Sequence, residues 1–125
     1  MDPISEMITT IRNGQNTKKD KIEIPFSTIK YEISKVLKEK GMIRDCKKSK
    51  DGLIIKLKYD DKDIPKIKSI RRISKPSRRF YASSQKIPRV RSGLGFVIIS
   101  TSNGVISGGK AKKLGIGGEI ICEVW

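Results

Sequence analysis

The sequence predicts an α+β fold built as two small packed units: an N-terminal α-β-α-β-β-β layer and a C-terminal, mostly β unit with one short helix. Three observations carry this. Well-marked helical spacing of apolar residues is confined to two segments of the first half. Alternating or continuous apolar runs of strand length dominate the rest. Charge is also unevenly divided: residues 1–65 hold 15 Lys+Arg against 11 Asp+Glu, net +4, whereas residues 66–125 hold 13 against 2, net +11. The expected division is therefore an N-terminal α/β unit over 1–65, its last strand running on toward Ser74, and a basic, β-rich unit over 66–125.

Taken in order, Asp2 is placed to cap a first helix, Pro3 suits its first position, and Ile4, Met7, Ile8 and Ile11 form its apolar face. Asn13-Gly14 reads as its end. A short strand over Lys21–Ile24 is stopped by Pro25. Ser27 caps a second helix with Ile29, Ile33, Val36 and Leu37 on one face and Gly41 as its stop. Strands follow over Met42–Lys47 and from Leu53 to Tyr59, joined through Asp51-Gly52, a hairpin signal. The segment DDKDIPK, residues 60–66, is a loop, and a third, strongly basic strand spans Ile67–Ser74.

In the second half, Arg78–Ser83 reads as a short strand and Ser84–Pro88 as a loop. Phe96–Ile99, within the strand Gly95–Thr101, is a continuous apolar run of the kind covered on both faces. Asn103-Gly104 turns the chain into Val105–Ser107, a brief helix covers Gly109–Leu114, and a last strand runs Glu119–Trp125. Its alternation predicts Ile120, Cys122 and Val124 on one face and Glu119, Ile121, Glu123 and Trp125 on the other.

Composition narrows the function. The net charge of +15 with a pI near 10.0 points to a polyanionic partner, nucleic acid first. No apolar run approaches the roughly 20 residues of a membrane span, and the acidic start MDPISEM is unlike a signal peptide, so the chain reads as soluble. Cys46 and Cys122 are too few for a metal knuckle or disulfide framework, and histidine is absent. No metal or cofactor is implied.

Each catalytic motif lacks its partners. "GVISGGKA" is a near-miss to a phosphate-gripping P-loop, but Ala111 stands where a magnesium-binding hydroxyl is needed, and the second half offers only Glu119 and Glu123 as acids. Ser27-Thr28-Ile29-Lys30 matches S-x-x-K without the downstream elements of acyl enzymes. It reads as a helix cap, with Lys30 as a solvent- or phosphate-facing charge. Asp60-Asp61 sit in a loop with nothing to raise a pKa. The expectation is a binding protein, not an enzyme.

The binding signal is denser. Ser100, Thr101, Ser102 and Asn103 leave a buried strand as an unbroken row of small polar side chains ending at Gly104, suited to close approach to a sugar–phosphate backbone and base edges. Lys110 follows, and Lys75, Arg78 and Arg79 precede. Of Phe80 and Tyr81, alternation sends one toward the core and one outward to stack on a base, with Tyr81 taken as the outward ring. Glu119, an acid in the net +11 half, is suited to accept from a base amino group or a 2′-hydroxyl, or to orient a nearby lysine. In the first half, Arg12, Asn13 and Lys30 are candidates for weaker contacts.

"STSNGV", a short basic helix and then "GIGGEIIC" resemble the bacterial-type S-eight family, the eighth protein of the small ribosomal subunit. "DPISEMITTIRNG" is similar to that family's opening helix and "IKYEISKVLKEKGMI" to its second. "IRRISKPSRRFY" and "IPRVRSGLGFVIISTS" resemble its linker and third quarter. The resemblance implies a structural constituent of the ribosome that binds the central domain of small-subunit ribosomal RNA during assembly, beside neighbouring ribosomal proteins. In some bacteria the family protein also binds its own messenger RNA. The location implied is the small subunit in the cytoplasm, or in an organelle of bacterial descent. The family's RNA-contacting turn carries onto Ser100, Thr101, Ser102 and Gly104, its acidic contact onto Glu119 and its aromatic contact onto Tyr81. Its usual lysine after Ser-Thr-Ser is Asn103 here. The alternative is a free-standing RNA- or DNA-binding chaperone without a specific ribosomal target.

Overall fold

A computed structural model describes residues 2–125, and the chain divides into two compact units, one ending at Lys68 and one running from Ser69 to Trp125. In the first unit, α1 (Pro3–Asn16) and α2 (Thr28–Glu39) pack on an antiparallel sheet of β1 (Lys21–Ile24), β2 (Ile43–Lys48) and β3 (Leu53–Leu57), in the order β1-β3-β2. Both helix starts follow from their caps: Asp2 accepts from the Ile4 amide at 3.0 Å, and the Ser27 hydroxyl accepts from the Lys30 amide at 3.3 Å. Met7, Ile11, Ile33 and Leu37 on the helices and Leu53 and Ile55 on β3 are among its fully buried side chains.

Two expectations fail in this unit. Gly14 does not end α1, which continues to Asn16. A Cβ at Gly14 would stand 2.6 Å from Ile22 Cγ2 and 3.1 Å from Leu57 Cδ1, so the glycine is there for helix-on-sheet contact. Lys30 presents no charge outward, because its residue is only 5% exposed. Lys30, Ile33 and Leu37 recur at helical spacing, which draws the lysine stem onto the buried stripe of α2.

The second unit is a five-stranded antiparallel sheet: β4 (Ile70–Arg72), β8 (Gly118–Val124), β6 (Phe96–Thr101) and β7 (Gly104–Ser107) in that order, with β5 (Tyr81–Ala82) also paired to β8. Short 3₁₀ turns occupy Ser84–Lys86 and Arg91–Gly93, and α3 covers Gly108–Leu114. The strand expected over Ile67–Ser74 as the last of the first layer is the short β4, which instead pairs with the C-terminal strand, Ile70 opposite Val124 and Arg72 opposite Cys122. Strand periodicity is local, whereas the pairing partner is chosen by contacts some 50 residues away. The mixed α+β class in two units stands, with one strand belonging to the second sheet.

One sheet face builds the second core from Val97, Ile99, Ile106 and Ile120, with Ile87, Val90 and Ala111 packed against them. The opposite face carries Phe96, Ile98, Cys122 and Val124, which are also buried. The alternation expected along β8 breaks at Ile121. Ile98 pairs with Cys122 and Ile99 with Ile120, so Ile121 is an extra residue with no partner on β6, a β-bulge.

Gly14→Ala should destabilise the protein by about 1–2 kcal/mol, because two core side chains must move to admit the methyl group; urea denaturation measures it. Burial pushes the Cys122 thiol up to about 12 from an ordinary value of 9.0. A raised folded-state pKa stabilises below the unfolded value and stops doing so as pH rises through the folded one. The urea midpoint of wild type should therefore fall relative to Cys122→Ala between pH 9 and 12, and the gap between the two should be constant below pH 8.

Candidate nucleic-acid interface

The bulge at Ile121 decides what stands beside the polar end of β6. Without it, regular pairing from Ile98 and Cys122 would set Ser100 against Ile120. With it, Ser100 pairs with Glu119 on β8 and with Val105 on β7, and Glu119 in turn pairs with Tyr81 on β5. Directly opposed residues of antiparallel strands share a face at roughly 4.5–5.5 Å. Val105, Ser100, Glu119 and Tyr81 thus form one transverse row across four strands. Ser100, Glu119 and Tyr81 are brought together although 38 positions separate Tyr81 from Glu119 in sequence.

Two glycines make this approach possible. A Cβ on Gly118 would lie 2.0 Å from the Ser100 carbonyl oxygen, and one on Gly117 would lie 2.2 Å from that of Ala82. Both obstructions are backbone, which cannot swing aside. The sequence signal for them is the Gly-Gly doublet within "GIGGEIIC".

Beyond Ser100 the chain turns tightly. The Thr101 hydroxyl accepts from the Asn103 amide at 3.1 Å and donates to the Gly104 carbonyl at 2.8 Å, and Gly104 adopts φ +99°. Thr101 is therefore committed to holding the turn. Among the described residues, the hydroxyls of Ser100 and Ser102 and the Asn103 side chain have no partner. These are the groups that this surface offers to a ligand.

Charge is set around the row. Arg79 Nη1 donates to Glu119 Oε2 at 2.9 Å, with the glutamate side chain 21% exposed. The orienting cation is thus an arginine where a lysine was expected. It offsets the only acid of the row and leaves Glu119 Oε1 to accept from a donor outside. Tyr81 is 71% exposed at the end of the row. Phe80 does not enter the core as expected: it is 40% exposed and lies under Arg78, whose guanidinium carbon is 5.2 Å from the ring centre. Lys75 and Arg78 close a tight hairpin through reciprocal backbone bonds of 2.8 and 2.9 Å. Lys110 is exposed in the first turn of α3, its amide capped by Ser107 at 3.3 Å. Arg12 and Asn13 are exposed on α1 of the first unit, and Lys30 is buried.

An exposed aromatic at one end, uncommitted hydroxyls and an amide at the other and an arginine-held carboxylate between them suit hydrogen bonding and stacking with nucleotides. The described residues contain no group of three or more His, Cys, Asp or Glu able to hold a metal, and no helix long and apolar enough to cross a membrane.

The family model described as ribosomal protein S8 matches residues 2–125. The chain is 48% identical to the small ribosomal subunit protein uS8 of Thermodesulfovibrio yellowstonii, covering 99% of this chain and 98% of that protein. It is likewise 48% identical to the uS8 of Nitrosococcus oceani, over 98% and 96% of the two chains, and 45% identical to that of Caldicellulosiruptor bescii, over 100% and 98%.

Gly118→Ala should destabilise the second unit by about 3 kcal/mol or more, since β8 must retreat from β6 to admit the methyl group. Amide hydrogen exchange should show lost protection at Ser100, opposite Glu119 on β8, before the rest of the sheet opens.

Proposed function

This chain belongs to the ribosomal protein S8 family, and we propose that it is a structural component of the small ribosomal subunit that binds the central domain of the subunit's RNA and helps assemble it. The observation that carries this reading is the row Ser100–Glu119–Tyr81 with the turn at Ser102-Asn103, displayed on a unit of net charge +11 over residues 66–125. Charge supplies the affinity for phosphate, and the row supplies discrimination.

A regular A-form duplex hides its major groove, so a surface of this kind reads a shallow minor groove or bases splayed from an irregular helix. Small side chains at 100–104 allow the backbone of the turn to approach a ribose closely. Glu119 accepts from a base amino group or a 2′-hydroxyl, and its pairing with Arg79 limits repulsion of nearby phosphates. Tyr81 offers a ring face for stacking at the edge of the row. Arg12 and Asn13 supply weaker contacts from the first unit, and neighbouring ribosomal proteins complete the surroundings. The site of action is the ribosome, where this chemistry calls for no catalysis and no cofactor.

Filter binding at physiological salt tests the reading, comparing a central-domain fragment of small-subunit RNA with a scrambled fragment of equal length. The native fragment should bind several hundredfold more tightly or better. Ser102→Ala should lose about 1–3 kcal/mol on the native fragment and little on the scrambled one. Equal affinity of the wild type for both fragments would leave a charge-driven chaperone as the better description.

A further inference from the structure

A second feature of the C-terminal unit lies outside the row. Residues 71–80 fold around a cleft of about 420 Å³ lined by Arg71, Arg72, Ile73, Lys75, Arg78 and Phe80. Four of the six are cationic and none is acidic. Arg71 is answered by Glu123 at 2.5 Å, whereas among the described residues neither Lys75 nor Arg78 has an acidic partner. Cations gathered at one concavity repel one another unless an anion joins them.

The cleft is also held in shape. The Ser74 hydroxyl is buried, accepts from the Phe80 amide at 2.8 Å and donates to the Phe80 carbonyl at 3.2 Å. The reciprocal bonds between Lys75 and Arg78 close the loop, and the Ile120 amide ties Phe80 to β8 at 2.9 Å. The guanidinium of Arg78 rests on the Phe80 ring, which limits its rotamers at the rim. A ring left 40% exposed for this purpose would otherwise be an unexplained apolar surface.

We infer that this cleft is a preformed clamp for a phosphodiester of bound RNA, with Lys75, Arg78 and Arg72 as its cations and Phe80 as the positioning residue for Arg78. It rests on the RNA-binding reading above and divides the labour within it. The row at Ser100 discriminates sequence and shape, and the clamp adds sequence-independent affinity.

The test uses the full chain and the same two RNA fragments, titrated at several salt concentrations. The double variant Lys75→Gln/Arg78→Gln should bind both fragments about tenfold more weakly, and its log Kd against log salt should be shallower by about 1–2. Lys47→Gln/Lys50→Gln, which removes the same charge from exposed positions of the first unit, should change both far less. Phe80→Leu, which keeps every charge, should weaken binding several-fold with an unchanged urea midpoint, and Phe80→Tyr should restore it. A double variant no weaker than the lysine control, or a Phe80→Leu protein that binds like wild type, overturns the clamp. The wild-type preference for the native fragment is read in the same titrations, so failure of the ribosomal reading is distinguishable from failure of the clamp.

Discussion

The extra residue at Ile121 sets the register on which the candidate interface depends. Side chains of a strand alternate with a period of two, so inserting one residue exchanges the faces for everything beyond it. On one side of the bulge, Cys122 and Val124 oppose Ile98 and Phe96 on a buried face. On the other, Ile120 turns to the opposite face and joins Ile99 and Ile106 in the core beneath α3. Glu119 comes to rest beside Ser100. One strand thereby contributes to apolar packing on both faces and still delivers a carboxylate to the polar end of the sheet.

This arrangement puts chemistry on a rigid support. Ser100 and Glu119 lie within paired strands, and Tyr81 is held by pairing with Glu119. Only Ser102 and Asn103 sit on a turn, and that turn is closed by the hydroxyl of Thr101. Groups held in this way lose little conformational freedom on binding, so more of the interaction energy appears as affinity. Glycine contributes through absence: at positions 117 and 118 it lets neighbouring backbones come closer than any side chain would permit.

Electrostatics complement this rigidity. The half of the chain with 13 basic and 2 acidic residues places one acid, Glu119, in the row and the other, Glu123, against Arg71. Each acid is matched with an arginine, so neither opposes the general attraction for phosphate. The positive field is non-specific and long-ranged, while the hydrogen-bonding row acts only on contact. Their combination suits a protein that must first find a polyanion and then recognise one region of it.

Much of this was legible in the residues. Caps at Asp2 and Ser27, the apolar stripes of the two long helices, the continuous run Phe96–Ile99 and the charge asymmetry are local properties. They determined the α+β class, the helix starts, the likeness to a ribosomal family and the small polar segment 100–104. Gly14 and Lys30 depart from expectation because residue type sets only a local preference, and Phe80 because strand alternation does not say whether a face is covered; the role of each depends on what packs against it: Ile22 and Leu57, the buried stripe of α2, and Arg78. The partner of β4, the bulge at Ile121, the alignment of Ser100 with Glu119 and Tyr81, and the cationic cleft at 71–80 were decided only by tertiary structure. Period and composition are written along the chain, but strand register is set by long-range pairing and by the close approach of backbones that no single segment encodes.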